Sequence, residues 1–128
     1  MLDPSNYLSI SIPDQTATLL LDHTPTHVWR VSSAASDVYK RQGEQRGSEC
    51  TPRGWHRIRA KIGANRPSGT VFKARRPTGE LFTPELEARF RERDWILTRI
   101  LWLGGIEPGF NRYGSVDTTW RYIYIHGS

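Results

Sequence analysis

The chain has 128 residues, of which 37% are hydrophobic and 11% aromatic; this suits one packed domain and excludes a disordered chain. Its single cysteine, Cys50, excludes an intramolecular disulfide and a cysteine-rich metal site. No apolar run approaches the ~20 residues of a membrane-spanning helix, and the N-terminal residues lack the basic start and apolar core of a signal peptide.

The net charge of +5 is distributed unevenly along the chain. Residues 1–50 carry four Lys/Arg against six Asp/Glu, whereas residues 51–128 carry fourteen against seven. Between Arg53 and Arg76 there are eight basic residues and no acidic one. Such a tract attracts polyanions or ligands with carboxylates, although solvated strand faces explain it equally well.

Three short strands are predicted in the first part of the chain. Apolar residues alternate with serines from Leu8 to Ile12, and Pro13-Asp14 follows as a turn. Further strands are predicted at Thr16 to Leu21 and at His27 to Val31, separated by a turn at residues 22–25. Together they predict an antiparallel meander.

The rest of the chain predicts more strands and one short helix. From Trp55 to Ile62 the alternation puts Arg57, Arg59 and Lys61 on one face, and Gly69 to Arg75 predicts another strand, ended by a turn at 77–79. Thr83 is the predicted N-cap of a helix over residues 84–92, with proline at the first helical position. Two buried strands are predicted at 95–103 and 118–125, where Trp95, Trp102 and Trp120 would lie in the core.

These elements predict a mainly β fold, a β-sandwich or partly closed barrel of mixed strands with one short helix, in a single domain over residues 1–128. One segment does not fit this scheme. Residues 36–42, SDVYKRQ, resemble a translated transposase adaptor used to prepare sequencing libraries. We therefore interpret them as a non-native scar within a loop and exclude them from the fold. An ordinary polar surface loop is the alternative interpretation.

Four segments of the chain, from about Asn6 to Ser128, resemble the catalytic domain of bacterial L,D-transpeptidases, the YkuD-like fold: GSECTPRGWHRIRAKIGA, RRPTGELFTPEL, RDWILTRILWLGGIEPGFNRYGSVDT and RYIYIHGS. The most specific features are Thr51-Pro52-x-Gly54 before a strand and an apolar strand that ends in His126-Gly127. In this order the two motifs favour that family.

The resemblance implies that His126 is a catalytic base. In the family, a Ser-His-Gly-Cys segment and an arginine follow the His-Gly pair, and that cysteine is the nucleophile. A thiol attacks readily at neutral pH only when an imidazole takes its proton, and the imidazole must itself be oriented. The carbonyl of Gly127 would orient His126. Since the sequence stops at Ser128, we expect a domain incomplete at its C-terminus and an inactive fragment.

By resemblance, the intact enzyme cross-links the stem peptides of peptidoglycan through their diaminopimelate residues, without a metal or an organic cofactor. Its carboxylate-rich substrate suggests a substrate-binding role for Arg57, Arg59 and Lys61. The family works in the periplasm or the cell envelope. We expect a monomer without a membrane span, with peptidoglycan stem peptides as partners and without nucleic acid as a partner.

Other candidate residues have simpler interpretations. Cys50 is expected to be a partly exposed structural or incidental thiol rather than a nucleophile. His23 and His27 have the spacing of a metal pair only on a helix, which Pro25 disfavours, so both are predicted in turns. His56 alternates with apolar residues and is predicted to be a half-buried histidine whose hydrogen bonds are satisfied.

A second hypothesis comes from the basic composition alone. Arginines interleaved with Trp55 and Phe72 would allow a small β-barrel to bind single-stranded nucleic acid through phosphate contacts and base stacking. Binding that weakens steeply with salt would distinguish this hypothesis from the transpeptidase one.

Overall fold

The computed structural model describes residues 4–34, 37 and 43–128. These residues form eight strands and one α-helix, in the order β1 (Tyr7–Ser11), β2 (Thr16–Leu21), β3 (Thr24–Arg30), β4 (His56–Ile62), β5 (Thr70–Lys73), β6 (Arg76–Leu81), α1 (Pro84–Arg89), β7 (Ile96–Gly105) and β8 (Tyr124–Gly127). The prediction of a mainly β fold with one short helix is confirmed. The segment interpreted as a scar, residues 36–42, lies outside the described residues except for Asp37.

Contacts divide the chain into two compact units. The first comprises residues 1–43 and 47–51 and holds an antiparallel sheet in the order β1-β2-β3, which confirms the predicted meander. Leu21 pairs with Thr24, so the β2-β3 loop has only two residues, Asp22 and His23, at φ of 50° and 59°. Positive φ at both loop positions suits the right-handed twist of a hairpin.

The second unit comprises residues 44–46 and 52–128 and holds a five-stranded sheet. The ten-residue strand β7 is its centre, because it pairs with β4, β5 and β8, while β6 pairs with β5. Every pairing is antiparallel. The most deeply buried apolar side chains of this unit come from β5 and β7: Val71, Phe72, Leu97 and Ile100.

The helix α1 begins as predicted. The Thr83 hydroxyl accepts a hydrogen bond from the Leu86 N–H at 3.0 Å, and Pro84 occupies the first turn. It ends at Arg89 rather than at residue 92, because the backbone of Phe90 leaves the helical region (φ −135°, ψ 58°).

Strand β6 was not predicted, because the turn was assigned to the wrong residues. The predicted turn at 77–79 lies inside β6, and the actual hairpin loop is Ala74-Arg75, at φ of 49° and 65°. Lys73 and Arg76 pair across this loop. Neither loop residue is a glycine, asparagine or aspartate, so the sequence carried no turn signal there.

The predicted strand over residues 118–125 is also wrong in its first half. Thr118–Arg121 form a 3-10 helix, Tyr122 is left-handed at φ 55°, and only Tyr124–Gly127 form β8. Asp117 explains the change, because its carboxylate accepts hydrogen bonds from Thr119 N–H at 3.0 Å and Tyr113 N–H at 2.7 Å. This cap overrides the strand propensity of the β-branched and aromatic residues.

The same local structure exposes one predicted core residue. Trp120 is 53% exposed, so its assignment to the core is wrong, whereas Trp95 and Trp102 are half-buried. The Trp102 indole N–H donates to the carbonyl of Thr119 at 3.1 Å, which holds the 3-10 helix against β7.

Candidate active site

His126 lies on β8, beside the buried middle of β7. It pairs with Ile100 of β7, which is fully buried, and its own side chain is exposed. Backbone hydrogen bonds hold the strand, while the imidazole projects away from the sheet. A strand with this support gives the imidazole a fixed position and access to solvent.

The carbonyl of Gly127 determines the proton position on His126. The Nδ1 atom lies 2.7 Å from the Gly127 carbonyl oxygen. A carbonyl oxygen only accepts hydrogen bonds, so Nδ1 carries the hydrogen and donates it. In the neutral ring the Nε2 atom is then unprotonated and able to take a proton from another group.

Gly127 occupies a position where a side chain does not fit. A Cβ atom built there would lie 2.7 Å from the Leu97 carbonyl oxygen and 3.4 Å from the Thr98 Cβ. The crowding arises from a bulge in β7, since the pairing register shifts between Leu97 and Ile100 and Thr98 has a φ of 72°. The glycine therefore lets the end of β8 approach the bulge.

Hydrogen bonds on both sides of Thr98 fix the bulge. Its hydroxyl accepts from the Gly69 N–H at 3.0 Å, and its carbonyl accepts from Arg99 Nη1 at 2.6 Å. The β7 bulge next to Gly127 is consequently held by a hydrogen bond to the loop before β5.

The three basic residues predicted on one face of β4 do not all share it. Ile58 pairs with Leu103 and Ala60 pairs with Trp102, which leaves Arg59 as the extra residue of a bulge. Side chains alternate along a strand, so this bulge reverses the face of every later residue.

Arg57 and Arg59 share the face of Trp102, whereas Lys61 pairs with Leu101 and lies on the other face. A Cβ atom on Gly104 would lie within 4 Å of both arginine side chains. The predicted common face is therefore correct for the two arginines and wrong for Lys61. Trp102 pairs with Tyr124, and Ile100, two positions away on the same face of β7, pairs with His126. The two arginines therefore lie on the His126 face of the sheet.

Two arginines stack on aromatic rings on this face, in an arrangement that we name the arginine–aromatic cluster. The Arg59 guanidinium carbon lies 5.1 Å from the Trp102 ring centroid and 5.5 Å from that of Trp120. The Arg75 carbon lies 5.2 Å from the Trp102 centroid and 4.7 Å from that of Tyr122. Arg75 also donates to the Tyr124 hydroxyl at 3.0 Å. The cluster comprises Arg59, Arg75, Trp102, Trp120, Tyr122 and Tyr124.

The sequence assigned Trp102 and Trp120 to the core and did not single out Arg75, Tyr122 or Tyr124. Arg75 belongs to the hairpin loop between β5 and β6, and Tyr122 owes its position to the left-handed turn after the 3-10 helix. Both depend on local structures that the sequence pattern did not predict. Only the run of basic residues indicated a charged surface.

His56 has the structural role that its sequence position predicted. Its Nδ1 donates to the Gly54 carbonyl at 3.0 Å, so its Nε2 accepts from the Thr118 hydroxyl at 2.9 Å. Burial lowers the pKa of this imidazole from its usual value of 6.5. The neutral ring joins β4 to the segment before β8.

Asn111 holds the same region together from a fully buried position. Its side-chain amide donates to the carbonyls of Arg53 and Trp55, both at 3.0 Å, and its oxygen accepts from the Glu107 N–H at 3.0 Å. All the polar atoms of this side chain have partners, as a buried amide requires.

Cys50 does not have the properties of a nucleophile. It belongs to the first unit and is 2% exposed, so the expected partly exposed thiol is buried instead. Burial at this level denies a substrate access to the thiol.

The other two histidines do not form a metal site. His23 lies in the β2-β3 turn as predicted, whereas His27 lies within β3, where its ring stacks on Trp29 at 5.5 Å. Within residues 4–34, 37 and 43–128 there is no group of three or more His, Cys, Asp or Glu side chains arranged to hold a metal ion.

Comparisons with known proteins identify the family. No curated protein and no solved structure matches the chain. In the described ranges, no helix is long and apolar enough to cross a membrane. The family model described as the L,D-transpeptidase catalytic domain (YkuD) matches residues 5–128, a span that takes in all eight described strands and His126-Gly127. The chain belongs to the L,D-transpeptidase catalytic-domain family.

Proposed function

We propose that this chain carries the general base of a peptidoglycan transpeptidase and that this base is His126. The observation that carries the proposal is the 2.7 Å contact between Nδ1 and the Gly127 carbonyl, which leaves Nε2 as the acceptor on an exposed ring. A carbonyl in this position takes the orienting role that a carboxylate has in a Ser-His-Asp triad.

In the proposed reaction, a cysteine thiol gives its proton to Nε2 of His126. The sulfur attacks the carbonyl carbon of the amide between diaminopimelate and the terminal D-Ala of one stem peptide. As the C–N bond breaks, the imidazolium returns its proton to the leaving amine, and D-Ala departs from a thioester.

The second half of the reaction restores the thiol. The side-chain amine of diaminopimelate in another stem attacks the thioester carbonyl, and His126 accepts a proton from this amine. The C–S bond breaks, the sulfur recovers a proton from the imidazolium, and the two stems are joined through their diaminopimelates.

The nucleophile in this proposal lies outside the 128 residues. Cys50 is the only cysteine in the sequence and is buried, and the family pattern places its cysteine after the His-Gly pair. The proposal accordingly expects no acylation of these 128 residues by themselves. The reaction belongs to the periplasm or the cell envelope, where peptidoglycan is assembled, and the domain works as a monomer.

Substrate binding on this surface involves Arg57 and Arg59. Both lie on the His126 face of the sheet, where guanidinium groups meet the carboxylates of a stem peptide. Lys61 lies on the opposite face and has no part in the site.

One of the two aromatic residues that the nucleic-acid hypothesis requires for base stacking is buried. Phe72 is 2% exposed in the core of the second unit, so it cannot stack on a base. No described feature favours nucleic acid over the stem peptide.

Acylation by a carbapenem, a β-lactam that acylates the cysteine of this family, tests the proposal. Two proteins are compared by intact mass: the 128-residue chain, and a longer form continued through the source reading frame past Ser128. We expect added mass on the longer form only, and slower addition in its His126→Gln variant. Acylation of the 128-residue chain, whose only cysteine is Cys50, would contradict the assignment, as would a reading frame without a Ser-His-Gly-Cys segment.

A further inference from the structure

The arginine–aromatic cluster contains two guanidinium groups close to one indole. Both lie about 5 Å from the Trp102 centroid, so their carbon atoms are within about 10 Å of each other. Two positive charges at this separation repel one another, and an anion or an aromatic ring face can offset the repulsion. Stacking on Trp102, Trp120 and Tyr122 supplies part of this compensation.

Neither arginine of the cluster has an acidic partner in the described part of the chain. Arg53 and Arg93, by contrast, each form an ion pair at 2.7 Å, with Glu44 and Glu80. Among the described residues, Arg75 donates one side-chain hydrogen bond, to the Tyr124 hydroxyl, and Arg59 donates none. A guanidinium has five N–H donors, so most of them stay free for an oxyanion.

Two exposed aromatic residues adjoin these donors. Trp120 is 53% exposed and Tyr122 is 47% exposed, although each also contacts a guanidinium. A ligand that combines an oxyanion with an adjoining apolar part would contact both the guanidinium donors and the aromatic residues. A free inorganic anion would contact only the guanidinium donors.

The cluster lies beside the proposed base. Tyr124 and His126 are two positions apart on β8 and share a face, which separates their Cα atoms by about 7 Å. An extended peptide rises about 3.3 Å per residue. A group bound at the cluster is therefore about two residues from the carbonyl that is attacked beside His126.

We infer that the arginine–aromatic cluster is a subsite for a free carboxylate of the donor stem peptide, with Arg59 and Arg75 as the donors to its oxygens. This inference rests on the proposed function for the identity of the ligand. Planar guanidinium groups suit the two oxygens of a carboxylate, and Trp120 and Tyr122 cover the adjoining apolar part of the stem.

A direct binding measurement tests the subsite without requiring a cysteine. The 128-residue chain is titrated with a synthetic tetrapeptide stem, L-Ala-D-γ-Glu-meso-diaminopimelyl-D-Ala, and tryptophan emission is followed because Trp102 and Trp120 lie in the cluster. The same peptide with every carboxylate amidated is the control ligand. We expect saturable binding of the free peptide and binding at least about tenfold weaker for the amidated one.

Variants identify the donors. Arg59→Gln and Arg75→Gln should each weaken binding of the free peptide about tenfold and leave binding of the amidated peptide unchanged. Arg75→Lys keeps the charge but not the planar donors, and an intermediate loss is expected. Arg91→Gln, at an exposed arginine outside the cluster, should bind as the unaltered chain does. Circular dichroism melts establish that each variant is folded.

Three results would overturn the subsite. They are equal binding of the free and amidated peptides, unchanged binding in both glutamine variants, and tighter binding of an oligodeoxythymidine that depends on the same arginines. Carbapenem acylation separates this inference from the proposed function. Acylation of the longer form together with arginine-independent binding rejects the subsite and the substrate-binding role of Arg59 but not the reaction, whereas arginine-dependent binding without acylation rejects the reaction alone.

Discussion

His56 of β4 and Thr118 are 62 positions apart in sequence, and their side chains meet at 2.9 Å between Nε2 and Oγ1. Thr118 is fully buried, and the His56 ring is neutral because burial lowers its pKa. The contact therefore connects the sheet to the segment that leads into β8, and protonation of the ring would remove the acceptor for Thr118.

The stability of the fold should consequently depend on pH through His56. Its pKa is lower in the folded chain than in the unfolded one, so the unfolded chain binds more protons between the two values. This contribution to stability is complete above pH 6.5 and is lost as the pH falls from 6.5 towards the lower folded pKa. Urea unfolding between pH 8 and pH 5 measures it.

His56→Gln provides the control for that experiment, because glutamine does not titrate. We expect a smaller change in unfolding free energy between pH 8 and pH 5 in the variant than in the unaltered chain. Parallel curves for the two proteins would show that His56 does not cause the pH dependence. Below the usual carboxyl value of 4.5, Glu44 adds a separate loss in both proteins, because its hydrogen bond with Arg53 lowers its pKa.

Replacing Asn111 with aspartate should destabilise the fold strongly. The change removes the two N–H donors to the carbonyls of Arg53 and Trp55 and puts a buried negative charge against both. We expect a loss of about 3 kcal/mol or more in unfolding free energy. The same change at exposed Asn65 should cost less than about 0.5 kcal/mol. Similar losses at both positions would contradict the anchoring role of Asn111.

Asp117 determines whether the chain before β8 forms a 3-10 helix. Asp117→Ala removes the acceptors for Thr119 N–H and Tyr113 N–H and should cost about 1 kcal/mol. Asp117→Asn keeps one acceptor oxygen and should cost less. Unfolding in guanidinium chloride measures the unfolding free energy of both variants. A larger loss for Asp117→Asn than for Asp117→Ala would contradict the capping role of Asp117.

Gly127→Ala tests the close approach of β8 to the bulge. Its added methyl would lie 2.7 Å from the Leu97 carbonyl, so the strand must move or the bulge must open. We expect a loss of about 1–3 kcal/mol in unfolding free energy, together with a changed NMR signal of the His126 ring. Ser128→Ala, at the exposed neighbouring position, should change neither. An unaltered His126 signal in Gly127→Ala would show that the glycine does not position the ring.

Ile100 of β7 pairs with His126 of β8, and its truncation should be more costly than that of its neighbour Leu101. Ile100→Ala removes a fully buried side chain opposite His126 and should cost about 2–5 kcal/mol. Leu101→Ala, at a half-buried position of the same strand, should cost less. Thermal unfolding of both variants measures the difference.

Local signals predicted the parts of the fold that depend on neighbouring residues. The alternation of apolar residues with serines from Leu8 to Ile12 and the Thr83 cap with Pro84 are local signals, and the structure has a strand at Tyr7–Ser11 and a helix that begins at Pro84. The His-Gly pair was likewise recognised from sequence, and it lies at the end of a strand.

The differences arise where long-range contacts decide the conformation. The bulge at Arg59 reverses the face of Lys61, and it depends on pairing with β7, some forty positions further along the chain. The Ala74-Arg75 loop has positive φ without a residue that favours it, so only the pairing of β5 with β6 fixes it. The arginine–aromatic cluster depends on both features and was therefore not predicted.

The position of β7 has a consequence for hydrogen exchange. Ile100 pairs with Ile62 of β4 on one side and with His126 of β8 on the other, so the middle of the strand is enclosed between two neighbours. Amides enclosed in this way exchange with deuterium only when the whole sheet opens, and their rates report the global free energy of unfolding. His126 itself lies on β8, which among the described strands pairs only with β7, so its backbone is held from one side and should exchange faster than the middle of β7.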